Sequence, residues 1–218
     1  MELLKLNQVT KTFETGEKCT PVNSLDFTIY QNDFISIQGV SGSGKSTLLM
    51  LMGGLLKQTS GDITYLGKNI YDMSDDDLAV WRGKIVGYLY QNVQIVQALT
   101  IKENIKLARR YGNSPNADID KILEIFDLTR LQNSLPGQLS GGQKRRAMFA
   151  VAMSRDPKII LADEPTNDLD EEMSCKIINI FKNVAKEGKS VILVTHNPKW
   201  ADKANKKYTM DNGVLKQG

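Results

Sequence analysis

Gly39-Val40-Ser41-Gly42-Ser43-Gly44-Lys45-Ser46 is the stretch whose reading decides the fold. The eight residues fit G-x-x-x-x-G-K-[ST] position by position. Their flanks supply the context the pattern needs. Phe34-Ile35-Ser36-Ile37-Gln38 reads as a strand running straight into the loop, and Ser46 to Leu56 reads as a helix leaving it. Strand, glycine loop and helix together wrap phosphate oxygens in backbone N–H groups at a helix N-terminus. Gly39, Gly42 and Gly44 permit the curvature, while Val40, Ser41 and Ser43 complete the cradle. Lys45 brings a point charge to the β- and γ-phosphates, Ser46 a hydroxyl for Mg²⁺, and Thr47 follows on the first helical turn.

Three further strands should end beside this loop. Ile159-Ile160-Leu161-Ala162 is a short apolar run of the kind buried in a parallel sheet, and Asp163-Glu164 follows it. In an open α/β sheet the strand ends carry the ligand site, so Asp163 is read as orienting Mg²⁺ and Glu164 as polarising the attacking water. An Asp-Glu pair after a strand is otherwise a solvated strand end. Val191-Ile192-Leu193-Val194 leads to Thr195-His196, which places the only histidine against the γ-phosphate. Ile85 to Tyr90 leads to Gln91, suited to contact Mg²⁺ and the lytic water, with an inert surface glutamine as the alternative.

A second anion-binding element lies at Leu139-Ser140-Gly141-Gly142-Gln143. Ser140 reads as the N-cap of a helix continuing through Lys144, Arg145 and Arg146, and the glycines expose amides. From Thr100 to Arg155 no strand is evident, and Ile101–Arg110, Asp118–Phe126 and Gly142–Arg155 read as helices. An anion site on such a helical block cannot serve the phosphate loop of its own chain. It is read as capping the γ-phosphate of ATP bound by another copy, which makes a homodimer the ATP-bound form.

The expected organisation is one domain over residues 1–218. Residues 1–91 and 156–218 form the ATP-binding core and 92–155 an inserted helical subdomain. Leu3 to Val9 and Leu25 to Tyr30 read as strands of an N-terminal antiparallel region, Asp75 to Lys84 and Glu171 to Lys186 as helices. Lys207 to Met210 and Val214 to Lys216 read as a closing hairpin around Asp211-Asn212-Gly213. A chain of 218 residues, 41% hydrophobic and 24% charged, can bury a full core. Net charge is +3, from 28 basic and 25 acidic residues, too balanced to call for nucleic acid. Cys19 and Cys175 read as two incidental thiols of a reduced compartment. No apolar stretch reaches the ~18–20 residues of a membrane span, and Met1-Glu2-Leu3-Leu4-Lys5 lacks a signal-peptide pattern.

Together these residues resemble the nucleotide-binding subunit of ABC transporters, over essentially the whole chain. The resemblance implies a P-loop NTPase ABC cassette, α/β, with a RecA-like parallel-sheet core. It implies an ATPase that uses ATP and Mg²⁺, whose two copies sandwich two nucleotides head to tail. Phe13, open on residue chemistry alone between core packing and adenine stacking, takes the place of the aromatic A-loop residue. Gln91 takes the Q-loop place, Ser140 and Gly142 reach the partner's γ-phosphate, and Asp170 of Asn167-Asp168-Leu169-Asp170 contacts across the dimer.

A narrower resemblance is to the lipoprotein-releasing, macrolide- or peptide-exporting and antimicrobial-peptide-resistance ATPases. It rests on Leu78–Tyr88, Leu99–Ile105 and Leu161-Ala162-Asp163-Glu164-Pro165-Thr166. It implies a transmembrane permease partner, an adaptor on the far side of the membrane, and a peripheral position on the cytoplasmic face. The alternative it leaves is an ATPase driving a non-transporting signalling or cell-division complex. Asn92 to Ile105, with Val93, Ile95, Val96 and Leu99, is read either as gripping the membrane partner or as plain core. Two departures stand out. The D-loop reads Asn-Asp-Leu-Asp where this group usually has Gly-Asn-Leu-Asp or Ser-Ala-Leu-Asp, and Val151 stands where an arginine is frequent.

Overall fold

Two sheets divide the apolar strands of this chain between them. The computed structural model describes residues 1–14, 18–90, 94–113 and 118–218; Gln91, with Asn92 and Val93, lies outside the described residues. β1 (Glu2–Phe13) and β2 (Cys19–Tyr30) pair antiparallel, Leu6 opposite Phe27 and Leu4 opposite Ile29. β3 (Phe34–Gln38) enters the phosphate loop and α1 (Lys45–Met52) leaves it. β4 (Ser60–Tyr65) and β5 (Lys68–Asn69) extend the first sheet in the order β2-β1-β4-β5. α2 (Asp75–Ile85) precedes β6 (Val86–Leu89). α3 (Ile101–Arg109), α4 (Ile119–Ile125) and α5 (Gly141–Met153) follow without a strand among the described residues. β7 (Ile159–Asp163), α6 (Glu171–Lys186), β8 (Ser190–Val194), α7 (Pro198–Ala201), β9 (Lys206–Asp211) and β10 (Val214–Gln217) complete the chain. The second sheet has the order β10-β9-β3-β8-β7-β6. It is parallel throughout except for the antiparallel edge strand β10.

The unbroken apolar runs of β7 and β8 are explained by burial on both faces. Successive strand residues point to opposite sides. Ile159, Leu161, Ile192 and Val194 join Leu48, Leu49, Leu51 and Met52 of α1 in one core, shared with Leu4, Leu6 and Ile29 of the first sheet. Ile160, Ala162, Val191 and Leu193 face the other way, into a second core with Ile101, Ile105, Phe149, Ile177 and Phe181. Leu123, Phe126, Leu128 and Leu139 belong to that second core. Phe149 is central to it, stacked on Phe126 at 6.1 Å and tilted against Phe181 at 6.0 Å.

Some elements differ from their sequence reading. α1 stops at Met52, four residues short of the expected Leu56, although Leu55 and Leu56 continue the apolar pattern. Gly54 turns left-handed (φ 64°), and the amides of Leu55 and Leu56 fold back onto the Met50 carbonyl. β4 and β5 carry no strong pattern in the sequence. Only Ile63 of β4 is buried, and Gly61 packs its Cα against the β1 backbone, where a Cβ would lie 2.3 Å from the Gln8 carbonyl oxygen. β4 forms on the edge that β1 offers, and β5 on the edge of β4.

Replacing Phe149 by Ala should cost about 3–5 kcal/mol, since the ring is fully buried between two aromatic neighbours. Urea unfolding of the full chain measures it, with a lower midpoint and an unchanged slope expected.

Candidate functional site

The register of the parallel sheet assembles the site. Ile37 lies opposite Val194, Val194 opposite Asp163, and Ala162 opposite Leu89. The C-terminal ends of β3, β8, β7 and β6 therefore come to one edge. Gly39, His196, Glu164 and Tyr90 are the residues that emerge there, and Gln91, the next residue after Tyr90, lies outside the described residues. The two loops are held by backbone bonds: Glu164 N–H donates to the Val194 carbonyl at 3.0 Å, and Thr195 N–H to the Ile37 carbonyl at 3.3 Å.

The phosphate loop is braced from outside. Gly44, at φ 106°, is the N-cap of α1 and offers no side-chain cap, so the first amides of the helix point into the loop. A Cβ at Gly44 would lie 1.9 Å from the Pro21 carbonyl oxygen. The closing hairpin adds a clamp: Gly213 N–H donates to the Ser43 carbonyl at 3.2 Å, and its own carbonyl accepts from Asn23 N–H at 3.0 Å. Lys45 is buried, its ammonium donating to the carbonyls of Gly39 (2.8 Å) and Val40 (2.7 Å) and to Ser43 Oγ (3.3 Å). Burial holds its pKa below the ordinary lysine value, with Glu164 and Asp163 opposing. Ser46 and Thr47 are half-buried on the first turn of α1, and Val40, Ser41 and Gly42 are exposed at the loop's rim.

Asp163 and Glu164 are both buried, 7% and 8% exposed, so they are not a solvated strand end. Burial pushes the Glu164 carboxyl above the ordinary carboxylate range; His196, 3.3 Å from its Oε1, is the main opposing influence. Glu164 Oε1 makes no hydrogen bond of good geometry to a protein group, which leaves a buried acceptor unsatisfied beside His196. Glu164 also holds a left-handed backbone (φ 46°), which a residue with a Cβ adopts only under constraint. A hydroxyl at Ser46 and a carboxylate at Asp163 are hard oxygen donors of the kind Mg²⁺ takes together with water and phosphate oxygens. Among the described residues no cluster of three His, Cys, Asp or Glu side chains forms a ready-made metal cage.

Other expected residues lie apart from this edge. Phe13 ends β1, 38% exposed and therefore outside the core, with the Lys11 ammonium 5.1 Å from its ring centre. Ser140 is the N-cap of α5 as read: its Oγ accepts from Gln143 N–H, and Gln143 Oε1 accepts from Ser140 N–H at 2.9 Å. Beside it a cavity of about 450 Å³ is lined by Ser140, Gly142, Arg146 and four carboxylates, those of Asp127, Asp168, Asp170 and Glu172. Arg146 is already paired with Asp127 at 2.7 Å. Asp170 caps α6, accepting from Met173 N–H at 2.7 Å.

Two residues carry more than their sequence reading assigned. Asn104 is buried and ties the segment before α3 together, accepting from Val96 N–H and donating to the carbonyls of Val96, Leu99 and Thr100. Ile95 packs on the second core while Val96 is 46% exposed, so the segment is neither all core nor all surface. Arg145 is 2% exposed. Its place in the run Lys144-Arg145-Arg146 suggests a solvated face, but it sits four residues before Phe149, on the same helical side, and that spacing was the available signal.

Comparison with known proteins follows the same lines. Residues 22–167 match the family model described as ABC transporter. The lipoprotein-releasing system ATP-binding protein LolD of Wigglesworthia glossinidia brevipalpis is 39% identical over 222 residues, covering 99% of this chain and 96% of that protein. The macrolide export ATP-binding/permease protein MacB of Chlorobaculum tepidum is 35% identical over 98% of this chain, which spans only 33% of that longer protein. Among solved structures, a dimeric ATP-binding cassette in a post-hydrolysis state with ADP and Pi superposes with a TM-score of 0.92. It is 32% identical, and the match covers 99% of this chain and 98% of that one.

Gly44→Ala should weaken ATP binding by at least about 10-fold, because φ is 106° there and a Cβ would meet the Pro21 backbone carbonyl at 1.9 Å. Equilibrium titration with a fluorescent ATP analogue measures it.

Proposed function

The chain belongs to the ABC transporter family, and from that premise we propose how its residues perform the work of the ATP-hydrolysing motor subunit of a membrane transporter. The chain is an ATPase, and the observation that carries the assignment of its parts is the single sheet edge at which the phosphate loop, Asp163-Glu164 and His196 emerge in register. Lys45, Ser46, Thr47 and the amides of Gly39 to Gly44 hold the triphosphate, and Phe13 stacks on adenine. Ser46 and Asp163, with Gln91, would hold Mg²⁺, which on binding neutralises charge on the phosphate oxygens.

Water then attacks the γ-phosphorus, and Glu164 accepts its proton while the bond to the ADP oxygen breaks. His196 stabilises the charge that develops on the phosphoryl oxygens. Two copies close head to tail, each presenting Ser140, Gly142 and Asp170 to the other's nucleotide. The four carboxylates around Ser140 support that reading over capture of a free anion: a phosphate can approach them only if it arrives with its own Mg²⁺ and lysine. Release of phosphate removes the bridge and the dimer opens.

The membrane partner is a transmembrane permease subunit, and residues 92–155 are the helical subdomain that meets it. Val151, at the position of a frequent arginine, is half-buried between two cavities lined by Tyr88, Met148 and Ala152 on one side and Ile95, Leu107 and Ala108 on the other. Arg82 and Arg155 also line the first cavity, and the apolar part of the lining supports a partner helix seated there with apolar residues inward. Among the described residues no helix is long and apolar enough to cross a membrane. The cargo is of the class handled by the named relatives, a lipoprotein or macrolide, or else a peptide or lipopeptide. The working place is the cytoplasmic face of the membrane, with an adaptor on its far side.

Glu164→Gln should keep ATP affinity, accumulate an ATP-bound dimer and lose about 10²–10⁴-fold in hydrolysis. Normal turnover by that variant would remove Glu164 from the base role. The raised Glu164 pKa has a definite sign in the rate: the base works deprotonated, so the acid limb of kcat/KM, which reports the free enzyme, should lie above the ordinary carboxylate range. A pH–rate profile of the wild type tests it; a flat profile down to pH about 4.3, the ordinary glutamate value, would contradict it. Lys45→Ala should lose nucleotide affinity, read by the same titration.

A further inference from the structure

We propose that Arg145 is a positioning residue that locks the start of α5 to the Asn167-Asp168 loop and to the end of β6, so that the Ser140–Gln143 run and the catalytic edge move as one body. The inference rests on the two-copy reading above, which makes the placing of that run decisive for closure.

The geometry is that of a fork reaching two separate segments. Arg145 Nη1 donates to the Tyr90 carbonyl at 2.9 Å, Nε donates to the Asn167 carbonyl at 3.2 Å, and Nη2 lies 3.7 Å from Asp168 Oδ2. Tyr90 immediately precedes Gln91, and Asn167 N–H donates to the carbonyl of Glu164 at 3.3 Å. One guanidinium therefore reaches the backbone on both flanks of Asp163-Glu164. At 2% exposure it is a charge that proteins rarely bury without partners. Asp168 is 75% exposed, so solvent screens the ion pair, and among the described residues the two carbonyl bonds outweigh it. Burial lowers the arginine's pKa, against the pull of Asp168, Asp163 and Glu164, yet its ordinary value is so high that the charge persists.

The loop needs such a brace. Asp168 stands at φ 63°, a second left-handed residue with a Cβ four positions after Glu164. Strained backbone of this kind persists only where surrounding contacts over-determine it. α5 supplies a further contact at Gly142, where even a Cβ would lie 3.2 Å from the Asp168 carbonyl oxygen. Helix and loop thus meet through close backbone packing and through the buried fork, and neither contact touches the phosphate loop. Loss of the fork should disturb closure of two copies while leaving nucleotide binding by one copy intact.

The test uses the full chain in the Glu164→Gln background, with Mg²⁺ and ATP, and reads monomer–dimer equilibrium by sedimentation beside nucleotide affinity by titration with a fluorescent ATP analogue. Arg145→Gln should weaken ATP-driven dimerisation by about 10-fold, with the nucleotide affinity of the monomer, titrated at a concentration too low for dimers, unchanged. Arg145→Lys keeps the charge but lacks the planar fork that spans the Tyr90 and Asn167 carbonyls on separate segments, and should fail to rescue. Asp168→Asn keeps both carbonyl bonds and should weaken dimerisation less than either. Should Arg145→Gln fail to fold, Arg145→Lys decides, with amide exchange expected to quicken in 164–170 and stay unchanged in α1. Dimerisation equal to the parent's in a folded Arg145 variant overturns the proposal. So does a parallel loss of dimerisation, nucleotide affinity and thermal midpoint, which marks a merely structural residue. A parent that never dimerises on ATP overturns the two-copy reading itself, whatever Arg145 does.

Discussion

The register Ile37–Val194–Asp163, continued by Ala162–Leu89, is the constraint on which the site depends. Four parallel strands end together, so residues more than 150 positions apart in sequence, such as Gly39 and His196, come out on one edge. That register is itself held by burial on both faces. A slip of one residue in β7 would exchange Ile159 and Leu161 for Ile160 and Ala162 between the two cores, and the packing against α1 on one side and Phe149 and Phe181 on the other forbids it. Core packing thus acts as the positioning device for chemistry performed at the surface.

Around that edge the chain places polar groups where they are costly. Lys45, Asp163, Glu164 and Arg145 are all buried; Lys45 and Arg145 are held by backbone carbonyls, and Glu164 lies 3.3 Å from His196. The closing hairpin contributes through Gly213, which bonds the Ser43 carbonyl and so ties the last strands of the chain to its phosphate loop. The left-handed backbones of Glu164 and Asp168 fit the same picture, strain retained next to reacting groups because neighbouring contacts allow no relaxation.

Much of this was legible in the residues. The phosphate loop, the strand that enters it and the acids after Ala162 follow from local pattern, because glycine spacing and apolar runs report directly on backbone conformation and burial. The capping of α5 by Ser140 was equally legible, since a serine followed three residues later by glutamine satisfies two amides by local bonds alone. The early end of α1 was less so: Leu55 and Leu56 carry the apolar pattern onward, while the turn at Gly54 is set by backbone bonds to Met50. β4 and β5 were not legible, because a strand with one buried side chain is defined by the partner edge it meets.

The sequence by itself determined the local features of the site: a glycine loop of the phosphate-binding pattern, the acids that follow a buried strand, and a second glycine-rich helix start. It did so because those features are local. Only the tertiary structure decided that Asp163 and Glu164 are buried rather than solvated, that Phe13 lies outside the core, and that Ser140 faces a ring of carboxylates. Only it turned the middle residue of Lys144-Arg145-Arg146 inward to join Tyr90 and Asn167. Burial and long-range hydrogen bonding are properties of packed surfaces that meet after folding, and no window of sequence contains both partners.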